Sequence, residues 1–585
     1  MELSKITSPA DIRGLGMEEL KELCNSLREV FLEKVSAHGG HVGPNLGLVE
    51  ATVALHYVFD TPNDKIVFDV SHQTYIHKML TGRVEAFLDP SKYDDVTGYT
   101  NPKESKYDLF TIGHTSTAVS LAGGMAKARD LQGQSYNVVA LVGDGSLSGG
   151  EAFEGLDEGA TLKSNFIVVV NDNNMSIAEN HGGLYSNLEE LRRTNGTASN
   201  NYFKALGYDY LYVDKGNDIE ALVEAFRMVK DINHPIVVHI HTDKGHGYKP
   251  AEGNKEAFHF SAPFDLKSGK LKSEDDDESY DEIFAQEMMS EIKSDPKVCV
   301  LTAGTPGVMG FTPERRQEAG RQFIDVGIAE QEAAAMASGI AKAGCRPCFG
   351  VVSSFIQRAY DQLSQDISIN GTPVVLNIFY GTILGMNDVT HLGWFDIALI
   401  SNIPGWIYLA PATVEEYLSM QRWAMKQTQY PVAIRLPGGK VLHSDDKVET
   451  DWSDLNKFKI EHEGSKVAII GAGAFLSIAK ETAELLKKEG VDATVINPRY
   501  LSGLDTAMLE DLKKNHQLVV TIEDGVLAGG FGEKVSSYYG TSDMKVANYG
   551  LEKKFADRYN YRQILEANRL TAPQIAEDVM NIINN

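Results

Sequence analysis

Gly143–Asn180 reads GDGSLSGGEAFEGLDEGATLKSNFIVVVNDNNMSIAEN, and the rest of the chain can be placed around it. The apolar run Asn137–Val142 (NVVALV) predicts a strand that gives way to a turn at Gly143-Asp144-Gly145. Small residues flank Asp144, so a phosphate could approach backbone N–H groups there. A helix is expected from Gly149 to Ala160. A second apolar strand, Phe166–Val170, then brings Asn171-Asp172-Asn173 to the same sheet edge, because parallel strands joined by a helix end on the same side. Asp144 and the Asn173 side chain thus converge as hard oxygen donors. That set suits Mg²⁺, which binds few protein groups and takes its other oxygens from phosphate and water.

GDG followed by NDN resembles the diphosphate-binding motif of thiamine-diphosphate enzymes. Alone, GDG would be only a strand-to-helix turn and NDN only a polar loop. Their placement after two buried strands carries the resemblance.

The chain has 585 residues, too many for one core, and implies three or more units at roughly 100–200 residues each. Hydrophobic content of 43% and charged content of 23% are those of a globular protein. No apolar run reaches the roughly 18 residues a membrane helix needs, and the N-terminus lacks a basic-then-apolar signal pattern, so a cytoplasmic location is expected. A net charge of -26 opposes binding to nucleic acid or anionic membranes. The four cysteines are too scattered for a disulfide framework. Cys345 and Cys348 have C-x-x-C spacing without a second pair; they read as incidental thiols where a turn enters a strand.

A helix is expected over Gly16–Val30, with Leu20, Leu23, Leu27 and Val30 at helical spacing. The Gly-rich HGGHVGPNLG follows, placing His38 and His41 in a loop. Lys65–Val70 reads as a buried strand, and His72 comes directly after it, at the carboxyl end where open parallel sheets bind ligands. A Gly113-His114-Thr115-Ser116 turn leads into another helix, where amides and hydroxyls could hold a phosphate. Pro235–His241 is a further strand, followed by Lys244 and by His259 in a loop. The polar, acidic run Leu266–Glu278 reads as a linker. The expected fold class is α/β: three domains, each a mostly parallel sheet flanked by helices, over residues 1–278, 279–442 and 443–585. Strands are expected at Val298–Thr302, Val374–Phe379 and Trp406–Leu409 in the second domain. In the third they fall at Lys466–Ile470, Ala493–Ile496 and Leu518–Ile522, after the acidic stretch His443–Asn456. Gly471-Ala472-Gly473 lacks the third glycine of a dinucleotide fingerprint and reads as a helix-packing turn.

Phe323–Ala341 (FIDVGIAEQEAAAMASGIA) runs from a strand through Gly327 into a helix opened by Glu330. Thiamine catalysis needs a carboxyl group against the aminopyrimidine ring, and a glutamate whose pKa is raised in an apolar pocket suits that task. Glu332, two residues on, competes for the role. Both could instead be first-turn acids complementing the helix dipole.

HVGPNLG, DVSHQTYIHKMLTGR, the GDG to NDN clamp, KGHGY, DVGIAEQ, SSFIQRAYDQ and THLGWFD occur in the order found in the 1-deoxy-D-xylulose-5-phosphate synthase family of transketolase-like enzymes. The resemblance spans nearly the whole chain. It implies three α/β domains, a homodimer, thiamine diphosphate and Mg²⁺, and a reaction joining pyruvate to D-glyceraldehyde 3-phosphate with loss of CO₂. Matched by motif, it assigns Asp144, Asn173 and the Met175 carbonyl to the metal. Gly145, Ser146, Lys244 and Gly113, His114, Thr115 and Ser116 go to the diphosphate, and His72 is a further cofactor contact. Glu330 becomes the aminopyrimidine acid and Phe355 the aromatic neighbour of that ring. His41, His72, His259 and His391 become substrate-pocket groups, and Arg358 an anion contact, since a guanidinium donates two hydrogen bonds from a planar fork.

The departures from the family pattern fall mainly in one region. Tyr380 stands where an arginine associated with the acceptor phosphate is usual, Asn387 replaces an aspartate, and Gly438 replaces a second arginine after Arg435. Val352 replaces a tyrosine, and Glu332 a histidine. Each charge-assisted bond lost to a phosphate would cost about 1.5–3 kcal/mol. Three readings follow. Arg358, Arg435 or another cation holds the acceptor phosphate; or a different aldehyde is the acceptor; or the chain is a cofactor-binding regulator, which the presence of Asp144, Asn173 and Glu330 opposes.

Overall fold

A computed structural model describes residues 2–273 and 277–584. The chain divides into two compact units, Met1–Asp276 with Val326–Ala329, and Asp277–Asp325 with Glu330–Asn585. Among the described residues no helix is long and apolar enough to cross a membrane.

The first unit is built on a five-stranded, all-parallel sheet. Its strands are β1 (Lys65–Phe68), β2 (Val138–Gly143), β3 (Phe166–Asp172), β4 (Asp209–Val213) and β5 (Pro235–His241), in the order β1-β2-β3-β5-β4. Every residue of β3 is buried, as a central parallel strand covered on both faces requires. Each such Val or Ile contributes about 1.5–3 kcal/mol relative to exposure. The helix Gly150–Gly159 packs on the helix Ala118–Leu131, and Gly155 permits the approach: a Cβ there would lie 2.9 Å from the Ser120 backbone nitrogen and 2.7 Å from its Oγ.

The second unit holds two sheets. One is six-stranded and all parallel, from β6 (Val298–Thr302), β7 (Phe323–Asp325), β8 (Arg346–Val352), β9 (Val375–Phe379), β10 (Ile407–Leu409) and β11 (Val432–Arg435), in the order β10-β11-β9-β8-β6-β7. The other contains β12 (Lys459–His462), β13 (Lys466–Gly471), β14 (Thr494–Asn497), β15 (His516–Val526) and β16 (Lys545–Leu551), in the order β12-β14-β13-β15-β16, with only β12 antiparallel. The three sheets give the α/β, mostly parallel architecture expected.

The acidic stretch His443–Asn456 is less solvated than its composition suggests. Trp452 is buried, its Nε1 donates to Ser419 Oγ at 3.1 Å, and its ring packs near Tyr500 at 6.4 Å, which ties the two sheets into one unit. In the other expected linker, Leu266–Ser273 forms a turn pinned back by Lys272, whose Nζ donates to the Ser36 carbonyl at 3.0 Å. The acidic centre of that linker, residues 274–276, lies outside the described residues. Cys348 is buried in β8, where Asn377 Nδ2 lies 3.3 Å from its sulfur, and all four cysteines are free thiols.

Gly155→Ala should destabilise the first unit. Ala would gain up to about 1 kcal/mol of helix propensity, but forcing the helices apart costs about 1–3 kcal/mol. Chemical denaturation should show a lower midpoint at unchanged slope; a higher midpoint would mean the helices have room to separate.

Candidate active site

In the first unit, β2 and β3 pair in register with Gly143 opposite Asn171, so Asp144 and Asp172-Asn173 leave the sheet side by side. Asp144 is buried. Its Oδ1 accepts from the Gly145 amide at 2.9 Å, and its Oδ2 from the Met175 amide at 3.2 Å and Asn180 Nδ2 at 3.0 Å. An ionised carboxylate has about four lone-pair sites, so these bonds leave room for one more contact. Burial, reinforced by the Asp172 carboxylate, raises the Asp144 pKa to about 7. Asn173 Oδ1 is buried without any hydrogen-bond partner. A buried acceptor with no donor and a carboxylate met only by neutral donors are both oxygen groups whose chemistry suits a cation.

No cluster of three or more His, Cys, Asp or Glu side chains that could hold a metal occurs among the described residues. The oxygen set of Asp144, Asn173 and the Met175 carbonyl contains one carboxylate and no nitrogen or sulfur, which fits Mg²⁺. Asp172 is committed elsewhere: Arg192 Nη1 donates to its Oδ1 at 2.7 Å, and His239 Nε2 lies 2.8 Å from its Oδ2. Burial alone would raise the Asp172 carboxyl, but His239 and Arg192 outweigh it and hold it low.

Gly145 allows a close approach, since a Cβ there would lie 2.7 Å from Ser176 Oγ. Ser146 is buried, and its carbonyl accepts from Ser116 Oγ at 2.8 Å. The turn from Gly113 to Ser116 therefore docks on the GDG turn. Ser116, at φ +78°, also gives its N–H to Asp69 Oδ2 at 2.8 Å, so its donors serve the turn itself, while His114 and Thr115 remain half-buried. Lys244 is buried; its Nζ donates to the Ser176 carbonyl and meets His259 Nδ1 at 3.1 Å. Burial lowers the Lys244 pKa to about 7, against the opposing pull of Asp144, and burial with the adjacent Lys244 keeps His259 far below its usual range.

Three histidines distant in sequence meet here. The ring centroids of His41 and His72 are 4.9 Å apart, those of His72 and His259 5.2 Å, and those of His41 and His259 5.8 Å, with Phe260 and Tyr99 beside His41 at 5.1 and 5.7 Å. The expected metal, diphosphate and histidine residues of this unit thus form one cluster around the carboxyl ends of β1, β2, β3 and β5. Sequence reasoning missed Asn45, Asp69, Asn180, Arg192 and His239, which hold that cluster through hydrogen bonds. Asn180 lay inside the opening stretch, but nothing in its spacing marked it.

In the second unit Glu330 opens the helix Glu330–Lys342 and is buried, whereas Glu332 is exposed. This separates the two candidate acids. Glu330 Oε2 has no hydrogen-bond partner and stands 3.7 Å from Arg358 Nη1. Burial raises the Glu330 pKa despite Arg358, which pulls it down. Arg358 therefore faces the acid. Phe355 and His391 meet edge to face at 5.4 Å, and His391 Nδ1 lies 2.8 Å from Thr390 Oγ1.

Arg435 proves to be engaged. It is buried, its Nε and Nη2 donate to Asp396 at 2.7 and 3.2 Å, and Nη2 donates to the Asp524 carbonyl at 2.6 Å. An arginine so satisfied is a structural strut and a poor anchor for a substrate phosphate. Tyr380 is half-buried at φ +55°, and its place depends on glycines: a Cβ on Gly393 would lie 2.0 Å from the Tyr380 carbonyl, and one on Gly438 3.1 Å from its Cδ1. The departures at 380 and 438 are sterically matched. Asn387 is exposed, and its carbonyl accepts from the Arg558 amide at 2.7 Å.

Because the folded-state pKa of Glu330 lies above its ordinary value of 4.5, ionising it opposes folding: stability is full below that value and is lost as pH rises. Glu330→Gln should therefore match the wild-type melting temperature below about pH 4.5 and exceed it as pH rises, by an amount that levels off once Glu330 is ionised in the folded protein. A variant less stable at alkaline pH would mean that the Arg358 pairing outweighs burial.

The family profile for 1-deoxy-D-xylulose-5-phosphate synthase matches residues 3–201, that for the transketolase pyrimidine-binding domain residues 277–442, and that for the transketolase C-terminal domain residues 456–575. The 1-deoxy-D-xylulose-5-phosphate synthase of Symbiobacterium thermophilum is 38% identical, covering 99% of this chain and 94% of that protein. Those of Caldanaerobacter subterraneus and Clostridium beijerinckii are each 35% identical, covering 99% of this chain and 98% and 99% of the respective proteins. Taken with the parallel sheets, this near-full-length similarity means that the chain belongs to the 1-deoxy-D-xylulose-5-phosphate synthase family of transferases.

Proposed function

We propose that this enzyme condenses pyruvate with D-glyceraldehyde 3-phosphate, releasing CO₂ and forming 1-deoxy-D-xylulose 5-phosphate. Thiamine diphosphate and Mg²⁺ are the cofactors of this family. The observation that carries the reading is the buried acid Glu330, whose Oε2 lacks a hydrogen-bond partner and whose pKa is raised by burial.

When bound, thiamine diphosphate supplies the nucleophile and the electron sink. The chain's own residues bind and orient. Asp144, Asn173 and the Met175 carbonyl would hold Mg²⁺; Gly145, Ser146, Lys244 and the Gly113–Ser116 turn would hold the diphosphate. Glu330 would hold a proton at the aminopyrimidine ring nitrogen, with Phe355 against that ring. His41, His72, His259 and His391 would hydrogen-bond the substrate oxygens and move protons to and from them. Arg358 would contact the substrate carboxylate or phosphate. We read the chain further as a cytoplasmic homodimer whose protomer has three domains, with boundaries after residues 278 and 442.

The test is product identity. With thiamine diphosphate, Mg²⁺ and pyruvate, glyceraldehyde 3-phosphate should stimulate CO₂ release and yield deoxyxylulose 5-phosphate by mass. CO₂ release stimulated only by another aldehyde would overturn the proposed acceptor, and an inert protein would overturn the whole reading. Glu330→Gln should abolish turnover while cofactor binding, read by calorimetry, persists; a near-wild-type rate would remove the acid from its role.

A further inference from the structure

Asn45 lies in the helical turn Gly43–Gly47 and has no exposed surface. Its Nδ2 donates to the His41 carbonyl at 2.8 Å and to the His72 carbonyl at 2.9 Å, while its Oδ1 accepts from the Tyr75 amide at 2.9 Å. The two N–H bonds of one planar amide diverge at a set angle, so a single nitrogen fixes the separation of two backbone carbonyls. Those carbonyls belong to the two residues whose rings stand 4.9 Å apart at 76°.

The loop carrying His72 needs such restraint. Val70 and Ser71 both take positive φ, +57° and +68°, and for a β-branched residue that conformation costs about 1–3 kcal/mol. Asp69 anchors the near side by accepting from the Ser116 and Ala118 amides at 2.8 and 3.0 Å. Ser71 Oγ donates to the Ile112 carbonyl at 2.7 Å and accepts from the Thr100 amide at 2.9 Å. These bonds hold the strained turn on one side, and Asn45 holds its far side at His72 and Tyr75.

We propose that Asn45 is a positioning residue that sets the spacing of His41 and His72, and with it the pair of imidazole groups offered to the oxygen atoms of a 2-oxo acid or aldehyde. The proposal rests on the reading that these histidines act on substrate. Asn45 touches backbone only and is not itself a catalytic residue. Helix packing alone would not call for this side chain, since a buried amide in so short a turn is unfavourable unless each polar atom is matched.

The test is a double-mutant cycle on the holoenzyme. Asn45→Ala and the milder Asn45→Ser, which keeps one donor should the alanine variant fail to fold, are each compared in the wild-type and His72→Ala backgrounds. If Asn45 works through the histidines, its loss should lower kcat by up to about 10²-fold in the wild-type background, leave thiamine-diphosphate affinity unchanged, and have little further effect once His72 is gone. Equal fold losses in both backgrounds would overturn the proposal. Failure of the wild-type enzyme to make the expected sugar would count against the functional reading alone. In that case, or if the His72→Ala background is too slow to measure, diethylpyrocarbonate labelling mapped by mass spectrometry decides. His41 and His72 should change reactivity together in the Asn45 variants, with His234, which directly precedes β5 and pairs with Asp209 at 2.7 Å, as the internal reference; unchanged rates at both would overturn the proposal.

Discussion

Uncompensated charge at the end of two buried parallel strands is the constraint from which the first unit's site follows. The register that sets Gly143 opposite Asn171 places the Asp144 and Asp172 carboxylates next to each other in a region with little water. Two such anions cannot both stay ionised there without positive partners. Asp172 takes Arg192 and His239, while Asp144 has only neutral hydrogen-bond donors, and the Asn173 oxygen that follows β3 has none. The imbalance ties Asp172 into the scaffold and leaves Asp144 the less compensated of the two acids.

The second unit separates its charges in the same manner. Arg435 and Asp396 form a pair at hydrogen-bond distance, with the remaining guanidinium contact supplied by a carbonyl. Glu330 and Arg358 are 3.7 Å apart, beyond a hydrogen bond, and one oxygen of the acid remains unmatched. A fully matched buried pair rigidifies the fold, whereas a partly matched acid keeps an elevated pKa and can exchange a proton. Burial at Glu330 thus makes its ionisation costly to the fold.

Two of the residues that depart from the family pattern, Tyr380 and Gly438, pack against each other. Tyr380 occupies a left-handed backbone position that glycine would hold more easily, and the absence of side chains at Gly393 and Gly438 makes space for its backbone and ring. An arginine at 438 could not be restored without moving Tyr380. The residues at 380 and 438 are thus sterically coupled.

The sequence by itself determined the fold class, the central strands and the local motifs. Strands buried on both faces are unbroken apolar runs, and Gly-Asp-Gly or Asn-Asp-Asn at their ends is legible from neighbours alone; β3, β5 and β6 lie where their composition puts them. Of the four strands that composition did not reveal, β4, β12 and β16 are edge strands with partly exposed residues, whose mixed pattern resembles that of loops; the fourth, β11, is a buried interior strand of only four residues, too short a run to stand out. Only the tertiary structure decided the status of the polar groups. Nothing in the order of residues distinguishes Asp172 from Asp144, a strut arginine such as Arg435 from one at a site, or Asn45 from any loop asparagine. Those distinctions depend on partners tens of positions away, brought within 3 Å by the packing of sheets and helices, and on which polar atoms that packing leaves without one.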